Sequence, residues 1–150
     1  MQPGAAAGVF EGTMTRKLLS AGLLFTILAA APACKKDEMV KETMTEVDAL
    51  ADEIVATIEK ADDKKQGVAD AQKLLDEKKD ALGKKMGEVG ELRGFQVSED
   101  VAASMTTSLA ESVMEVETLK LSLMSETMKD KELDAAVNKL TGDFSSMLTQ

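Results

Sequence analysis

The residue types that most often perform chemistry in proteins are scarce in this chain of 150 residues. It contains no histidine, which removes imidazole as a general acid or base and as a metal or haem ligand. The single cysteine, Cys34, allows neither an intramolecular disulfide nor a cluster of thiolates. Aromatic side chains, which commonly line ligand pockets, are limited to four phenylalanines. We therefore expect no catalytic residue, no cofactor and no enzymatic activity.

Carboxylates and methionines are the two remaining residue types that could take part in catalysis or metal binding. Acid–base catalysis needs carboxylates that converge in a cleft with separated pKa values, whereas a solvated helix face needs no special arrangement. The acidic pairs of the sequence are Asp62-Asp63, Glu99-Asp100, and Glu115 with Glu117. We interpret them as solvated, and a carboxylate enzyme is the last of the alternatives.

The methionine thioethers raise the separate question of a soft metal site. Thioethers bind Cu(I), and the spacing of Met124 and Met128 places both on one face of a helix. Methionine also fills irregular gaps in a core that has few aromatic residues. We favour the core interpretation and expect no metal site, with Met-based copper binding as an alternative.

The charge of the chain excludes one class of partner. The whole sequence has 27 acidic residues and 18 basic ones, and residues 1–33 contain only one of the acids and two of the bases. The other 117 residues therefore have 26 acids and 16 bases, a formal net charge of −10. Binding to nucleic acid depends on lysine and arginine neutralising phosphates. We expect no nucleic-acid partner.

The N-terminal part of the sequence has the organisation of an export signal. A short basic segment, Met14-Thr15-Arg16-Lys17, precedes the uncharged and mostly apolar run Leu18–Ala31. A membrane-spanning helix needs about 20 such residues, so this run of 14 is too short. A basic start, a short apolar centre and small residues at its end are typical of a secretory signal peptide. We assign the signal peptide to residues 14–33, and residues 1–13 to an N-terminal extension that precedes the translation start at Met14.

The end of the apolar run, Ala31-Pro32-Ala33-Cys34, resembles the lipobox of bacterial lipoproteins. The resemblance implies that the chain is cut between Ala33 and Cys34 and that Cys34 receives a diacylglyceryl group on its sulfur. It differs from the usual lipobox in having Ala31 where leucine is most frequent. Ala31-Pro32-Ala33 also matches the A-x-A site of ordinary signal cleavage, which would cut the same bond and leave a free thiol.

The lipoprotein resemblance implies a place in the cell. Two or more acyl chains anchor a protein stably, whereas one gives only marginal membrane binding. By similarity to lipoproteins whose second mature residue is not aspartate, Lys35 at that position implies the outer membrane, with the protein facing the periplasm. We therefore expect a lipid-anchored protein of the cell envelope, attached to membrane lipid through Cys34.

The chain after Cys34 has the apolar periodicity of four amphipathic helices. Residues 34–36 would be the lipidated cysteine and a short tether, and residues 37–150 the helical domain, with Asp37 capping the first helix. Polar residues from Ala61 to Gly67 mark the first break. The apolar positions of the first helix are Val40, Met44, Val47, Ala51, Ile54, Ile58 and Ala61; those of the second are Val68, Ala71, Leu74, Leu75, Ala81, Leu82, Met86, Val89 and Leu92.

The second half of the domain repeats the pattern twice. Ser98 is the expected N-cap of the third helix, and Asp130 that of the fourth after a turn near residues 129–131. The apolar positions of the third helix are Val101, Met105, Leu109, Val113, Val116, Leu119, Leu123 and Met128; those of the fourth are Leu133, Ala136, Val137, Leu140, Phe144, Met147 and Leu148. The alternative is that the third and fourth helices form one continuous helix, although at 1.5 Å per residue that helix would be about 75 Å long.

Four amphipathic helices with short connections predict an all-α fold, an antiparallel up-down-up-down four-helix bundle that follows a cleaved signal peptide. The function that we expect is non-enzymatic: a membrane-anchored lipoprotein that contacts an unidentified envelope protein or acts as a structural element. A periplasmic client-binding chaperone or stress-response protein is the main alternative. The oligomeric state stays open.

Overall fold

The computed structural model describes residues 33–94 and 96–149, with side chains described from Lys36 onward. Of the residues described, 86% are helical and none is in a strand, which confirms the all-α class. The helices are α1 (Ala33–Lys60), α2 (Lys64–Gly90), α3 (Glu99–Ser122), the single turn α4 (Met124–Thr127) and α5 (Lys131–Met147). The extension assigned to residues 1–13 and residues 14–32 of the assigned signal peptide lie outside the described residues.

Side-chain caps begin three of the helices. Asp63 accepts hydrogen bonds from the backbone N–H groups of Lys65 and Gln66 at the start of α2. Ser98 and Asp130 cap α3 and α5, as the sequence predicts. Each cap satisfies backbone donors that have no partner within the helix.

The expected cap at Asp37 is wrong, because α1 begins at Ala33 and residues 34–36 are helical. One carboxylate oxygen of Asp37 instead accepts a hydrogen bond from the backbone N–H of Ser98, at 2.8 Å. That contact joins the beginning of α1 to the cap of α3, so the first turns of these two helices lie at the same end of the molecule.

The connection between α1 and α2 is shorter than the sequence suggests. Only residues 61–63 separate the two helices, and Gly67 lies buried in the first turn of α2 rather than in the turn. The ammonium group of Lys64 donates to the carbonyls of Ile58, Glu59 and Ala61 at 3.1, 2.9 and 2.8 Å. A lysine at this position donates to carbonyl groups in the last turn of α1 and immediately after it.

Each of the four long helices packs against two others. The pairs in contact are α1 with α2, α1 with α3, α2 with α5, and α3 with α5. The Ser108 hydroxyl donates a hydrogen bond to Asp48, and the Gln72 side-chain amide donates one to Asp143. The ion pair between Lys65 and Asp130 is a second contact between α2 and α5. Together with the contact between Asp37 and Ser98, they indicate that α1 runs parallel to α3 and that α2 runs parallel to α5.

The apolar positions predicted from the sequence account for most of the core. Phe144, Ile54, Leu75 and Leu140 are fully buried, and Leu50, which was not among the predicted positions, joins them. Two predicted positions, Ala81 and Met128, are exposed. Met128 departs from the pattern because α3 ends at Ser122 and a short irregular segment containing α4 precedes α5. The turn before Asp130 is thus confirmed, and the continuous helix is wrong.

Candidate functional site

The lipid-attachment site predicted from the sequence lies at the beginning of α1. Cys34 is the second residue of that helix, and Ala33, on the other side of the predicted cleavage site, is the first. Ala31 and Pro32 lie outside the described residues. Cleavage before Cys34 and its lipidation therefore stay predictions.

A row of polar side chains joins α1 to α3 above this end of the molecule. The Ser108 hydroxyl lies 2.8 and 2.9 Å from the two carboxylate oxygens of Asp48. The Ser112 hydroxyl lies 2.5 Å from one of the same oxygens and 3.0 Å from the backbone carbonyl of Ser108. Ser112 is buried, and Asp48 and the Ser108 carbonyl are the acceptors that satisfy its hydroxyl there.

One turn further along, two carboxyl groups face each other. Burial raises the pKa of the Glu115 carboxyl above its ordinary value, and the charge of Asp52 with a hydrogen bond to it raises that pKa further. Asp48 and Glu59 add smaller effects of the same sign. The sequence analysis grouped Glu115 with Glu117 as neighbouring acids. In the structure, the carboxyl group that faces Glu115 is that of Asp52 on α1. Glu117 forms an ion pair with Lys120 instead, at 2.8 Å.

An open groove of about 400 Å³ lies between α1 and α3 beside this polar row. Its apolar side includes Val40, Met44 and Met105, and its polar side includes Asp48 and Ser108. A carboxylate that accepts hydrogen bonds from two hydroxyls orients them, but it is too weak a base to make serine a nucleophile by itself. We interpret the row as a contact that fixes the register of α1 against α3. Serines at positions 104, 108 and 112, four residues apart, were the signal that could have located it.

The methionines divide into two groups. Met44, Met86 and Met147 are buried in the core, as expected for gap-filling residues. The expectation that methionines lie in the core is wrong for the second group: the side chains of Met114, Met124 and Met128 are 69%, 54% and 78% exposed. Leu121 is 72% exposed, and these four are the exposed large hydrophobic residues among those that the structure describes. We call these four residues the apolar patch.

The two methionines considered for copper lie beside cationic groups. Met124 and Met128 line a groove of about 440 Å³ between α3, α4 and α5, together with Lys120 and Lys131. Ammonium groups next to two thioethers disfavour binding of a Cu(I) ion. The described residues also contain no group of three or more cysteine, aspartate or glutamate side chains placed to hold a metal ion.

No protein-family model, no curated protein and no solved structure matches the chain. Among the described helices, none combines the length and the apolar character that crossing a membrane requires.

Proposed function

We propose that the chain is a lipid-anchored, non-enzymatic protein of the bacterial cell envelope that acts by contact with another protein. The apolar patch supports contact as the mode of action. Soluble proteins commonly expose single hydrophobic residues, and four large ones along one helix and the turn after it support the proposal of an interaction site. Lipid on Cys34 would fix the position of the domain, and the patch would meet the partner.

The anchor rests on the sequence Ala31-Pro32-Ala33-Cys34, and the position of Cys34 in α1 supports a close attachment. Because α1 continues directly from Cys34, a lipid on this residue would hold the helical domain at the membrane surface. Envelope location, most simply the outer membrane facing the periplasm, follows from the same resemblance.

The mass of the N-terminal peptide tests the anchor. The protein would be purified from membranes of the native host beside a Cys34→Ala control, and both would be digested and measured by mass spectrometry. We expect a peptide that begins at Cys34 and is heavier by its acyl chains. A peptide that begins at Cys34 with a free thiol would overturn lipidation and leave a soluble exported domain.

We also propose that α1, α2, α3 and α5 form one bundle whose directions alternate along the chain. The four contacting pairs of helices support this arrangement. In it, α1 and α3 are parallel neighbours, unlike the simplest antiparallel bundle, in which every neighbour is antiparallel.

A pair of introduced cysteines tests the direction of α3. Thr45 and Ser104 line the same groove. In a Cys34→Ser background, Thr45→Cys with Ser104→Cys should therefore react with a short bifunctional thiol reagent. Thr45→Cys with Thr118→Cys is the matched control, and preferential linking of that pair would mean that α3 runs the other way.

A client-binding chaperone is the second candidate, and the same apolar patch favours it. Exposed methionines adapt to many partners because their side chains are flexible and polarisable. Suppression of the aggregation of an unfolded model protein, lost on replacing patch residues with serine, would support this candidate over a single defined partner.

A further inference from the structure

The exposed methionines of the described chain all belong to the apolar patch. Met114 lies in the second half of α3, and Met124 and Met128 lie at the two ends of the turn that follows it. The other methionines whose side chains are described are buried or half-buried: Met39, Met44, Met86, Met105 and Met147. The solvent-accessible thioethers are thus concentrated on one surface, where they make up most of the large apolar side chains.

A thioether is the apolar group of this patch that an oxidant can change chemically. Hypochlorous acid oxidises a thioether by transferring one oxygen atom to the sulfur. The sulfur loses two electrons, the O–Cl bond breaks, and chloride and a proton are released. The product, methionine sulfoxide, is polar and disrupts contact surfaces that are rich in methionine. Leu121, the fourth residue of the patch, does not react in this way, so oxidation would change three of the four side chains.

The groove between α3, α4 and α5 has room and hydrogen-bond donors for the oxidised side chains. Its volume is about 440 Å³, and Met124 and Met128 line it. Its charged groups are two ammonium groups and one carboxylate, those of Lys120, Lys131 and Asp134. Each ammonium group has three donors, and a bond that it makes to an oxygen is a strong one. Sulfoxide oxygens on Met124 and Met128 would therefore find partners without any change in the core.

We propose that Met114, Met124 and Met128 are a site of reversible oxidation, which converts the apolar patch into a polar surface. In the reduced state the patch offers apolar area to a contact. In the oxidised state that area is lost, and a partner held by apolar burial binds more weakly. A methionine sulfoxide reductase reverses the change: the oxygen leaves as water while two thiols form a disulfide. This inference rests on the proposed function as a contact protein and adds the regulation of its contact surface.

Site-resolved mass spectrometry tests where the oxidant reacts. The Cys34→Ser protein would be purified from its host, because it has no sulfur at the anchor that competes for the oxidant. Hypochlorous acid would be added in small steps, and the gain of one oxygen atom would be followed at each methionine. We expect the three methionines of the patch to react at least tenfold faster than the buried ones, which are Met44, Met86 and Met147. Equal rates at the two groups would overturn the proposal.

Retention on a hydrophobic-interaction column tests whether the surface changes. Retention should fall once the patch methionines have reacted, and it should recover after treatment with dithiothreitol and the two reductases that act on the two sulfoxide epimers. The matched control combines Met114→Leu, Met124→Leu and Met128→Leu, because leucine is apolar, similar in size to methionine and inert to this oxidation. The leucine variant should keep its retention under the same treatment. Unchanged thermal unfolding checks that the oxidised protein keeps its fold.

Several results of the column experiment would also contradict the proposal. They are an unchanged retention after the patch methionines have reacted, an equal fall in retention of the leucine variant, and a fall that the reductases do not reverse. Unfolding of the domain at the same extent of oxidation would mean that the reaction is damage and not a switch. The mass of the N-terminal peptide and the suppression of client aggregation are measured without oxidant. Failure of the proposed function and failure of this inference are therefore distinguishable.

Discussion

At the scale of single residues, Gly67 lies where the end of α1 comes closest to the beginning of α2. A Cβ atom at this position would lie 2.7 Å from the Cβ of Ala61 and 3.2 Å from the Cα of Ile58. Alanine usually stabilises a helix relative to glycine by up to about 1 kcal/mol. Here we expect Gly67→Ala to destabilise the fold by about 1–3 kcal/mol, because neither neighbour can move without moving backbone.

Gly142 is the matched control for that prediction. It lies exposed inside α5, and among the described atoms nothing lies within 4 Å of an added Cβ. Gly142→Ala should therefore stabilise the protein by up to about 1 kcal/mol. Chemical denaturation followed by helical circular dichroism measures both free energies of unfolding. Stabilisation by both substitutions would show that the hairpin has room for a methyl group at residue 67.

The facing carboxyl groups of Glu115 and Asp52 predict a dependence of stability on pH. Burial and the neighbouring acids raise the pKa of Glu115, so the folded state binds its proton more tightly than the unfolded state does. The folded state is therefore favoured at low pH, and this contribution is lost as pH rises through the raised pKa. Glu115→Gln should raise the melting temperature at pH 7.

The advantage of Glu115→Gln should shrink on acidification and disappear below the ordinary glutamate pKa of 4.5, where Glu115 is protonated in both states. The exposed Glu111→Gln serves as control, with no expected change in melting temperature. Melting curves from pH 3 to 8 measure the difference. A constant advantage at every pH would mean that the substitution acts through packing and not through the proton.

At the scale of elements, the junction of α1 and α2 depends on Lys64. Its ammonium group donates to three carbonyls at the end of α1. Lys64→Met keeps the aliphatic part of the side chain and removes these donors, so we expect a loss of about 1–2 kcal/mol in the free energy of unfolding.

Lys84→Met on the exposed side of α2 is the control for Lys64→Met and should change the free energy of unfolding by less than about 0.5 kcal/mol. Chemical denaturation followed by circular dichroism compares the two variants. Equal small effects would show that water replaces Lys64 at these carbonyls.

The helices and their buried sides could be predicted from the sequence because burial follows the 3.6-residue period. Val40, Val47 and Ile54 are examples, and the caps Ser98 and Asp130 follow from local chemistry. The role of Gly67 could not be predicted, because it depends on where a neighbouring helix lies. To predict that Glu115 faces Asp52, one would have to know that α1 and α3 are parallel.

The apolar patch escaped the sequence analysis for a related reason. Met114 and Met128 were counted with the core because methionine usually lies there. The exposed residues Ala103, Ala110, Met114 and Leu121 of α3 follow the same four-three spacing as its buried stripe, so periodicity alone cannot say which of the two sides packs against the other helices. Only the packing of α3 against α1 and α5 decides between them.

At the scale of the whole molecule, the anchor and the patch lie at different levels. Cys34 is at the beginning of α1, and Leu121 is at the end of α3, which runs parallel to α1. The length of α1 puts about 40 Å between these levels along the helix axes. If lipid on Cys34 holds the N-terminal end at the bilayer with the helices upright, the patch is presented away from the membrane.

Fluorescent labels at two positions test this orientation. A label attached through Glu38→Cys, close to the anchor, should be quenched strongly by nitroxide lipids when the lipidated protein is in vesicles. A label attached through Leu121→Cys should be quenched little, because such quenching acts only over short distances. Both labels should respond equally to a water-soluble quencher in detergent, which controls for exposure. Strong quenching of both in vesicles would mean that α3 lies against the bilayer, and the apolar patch would then be a membrane contact rather than a site for a protein partner.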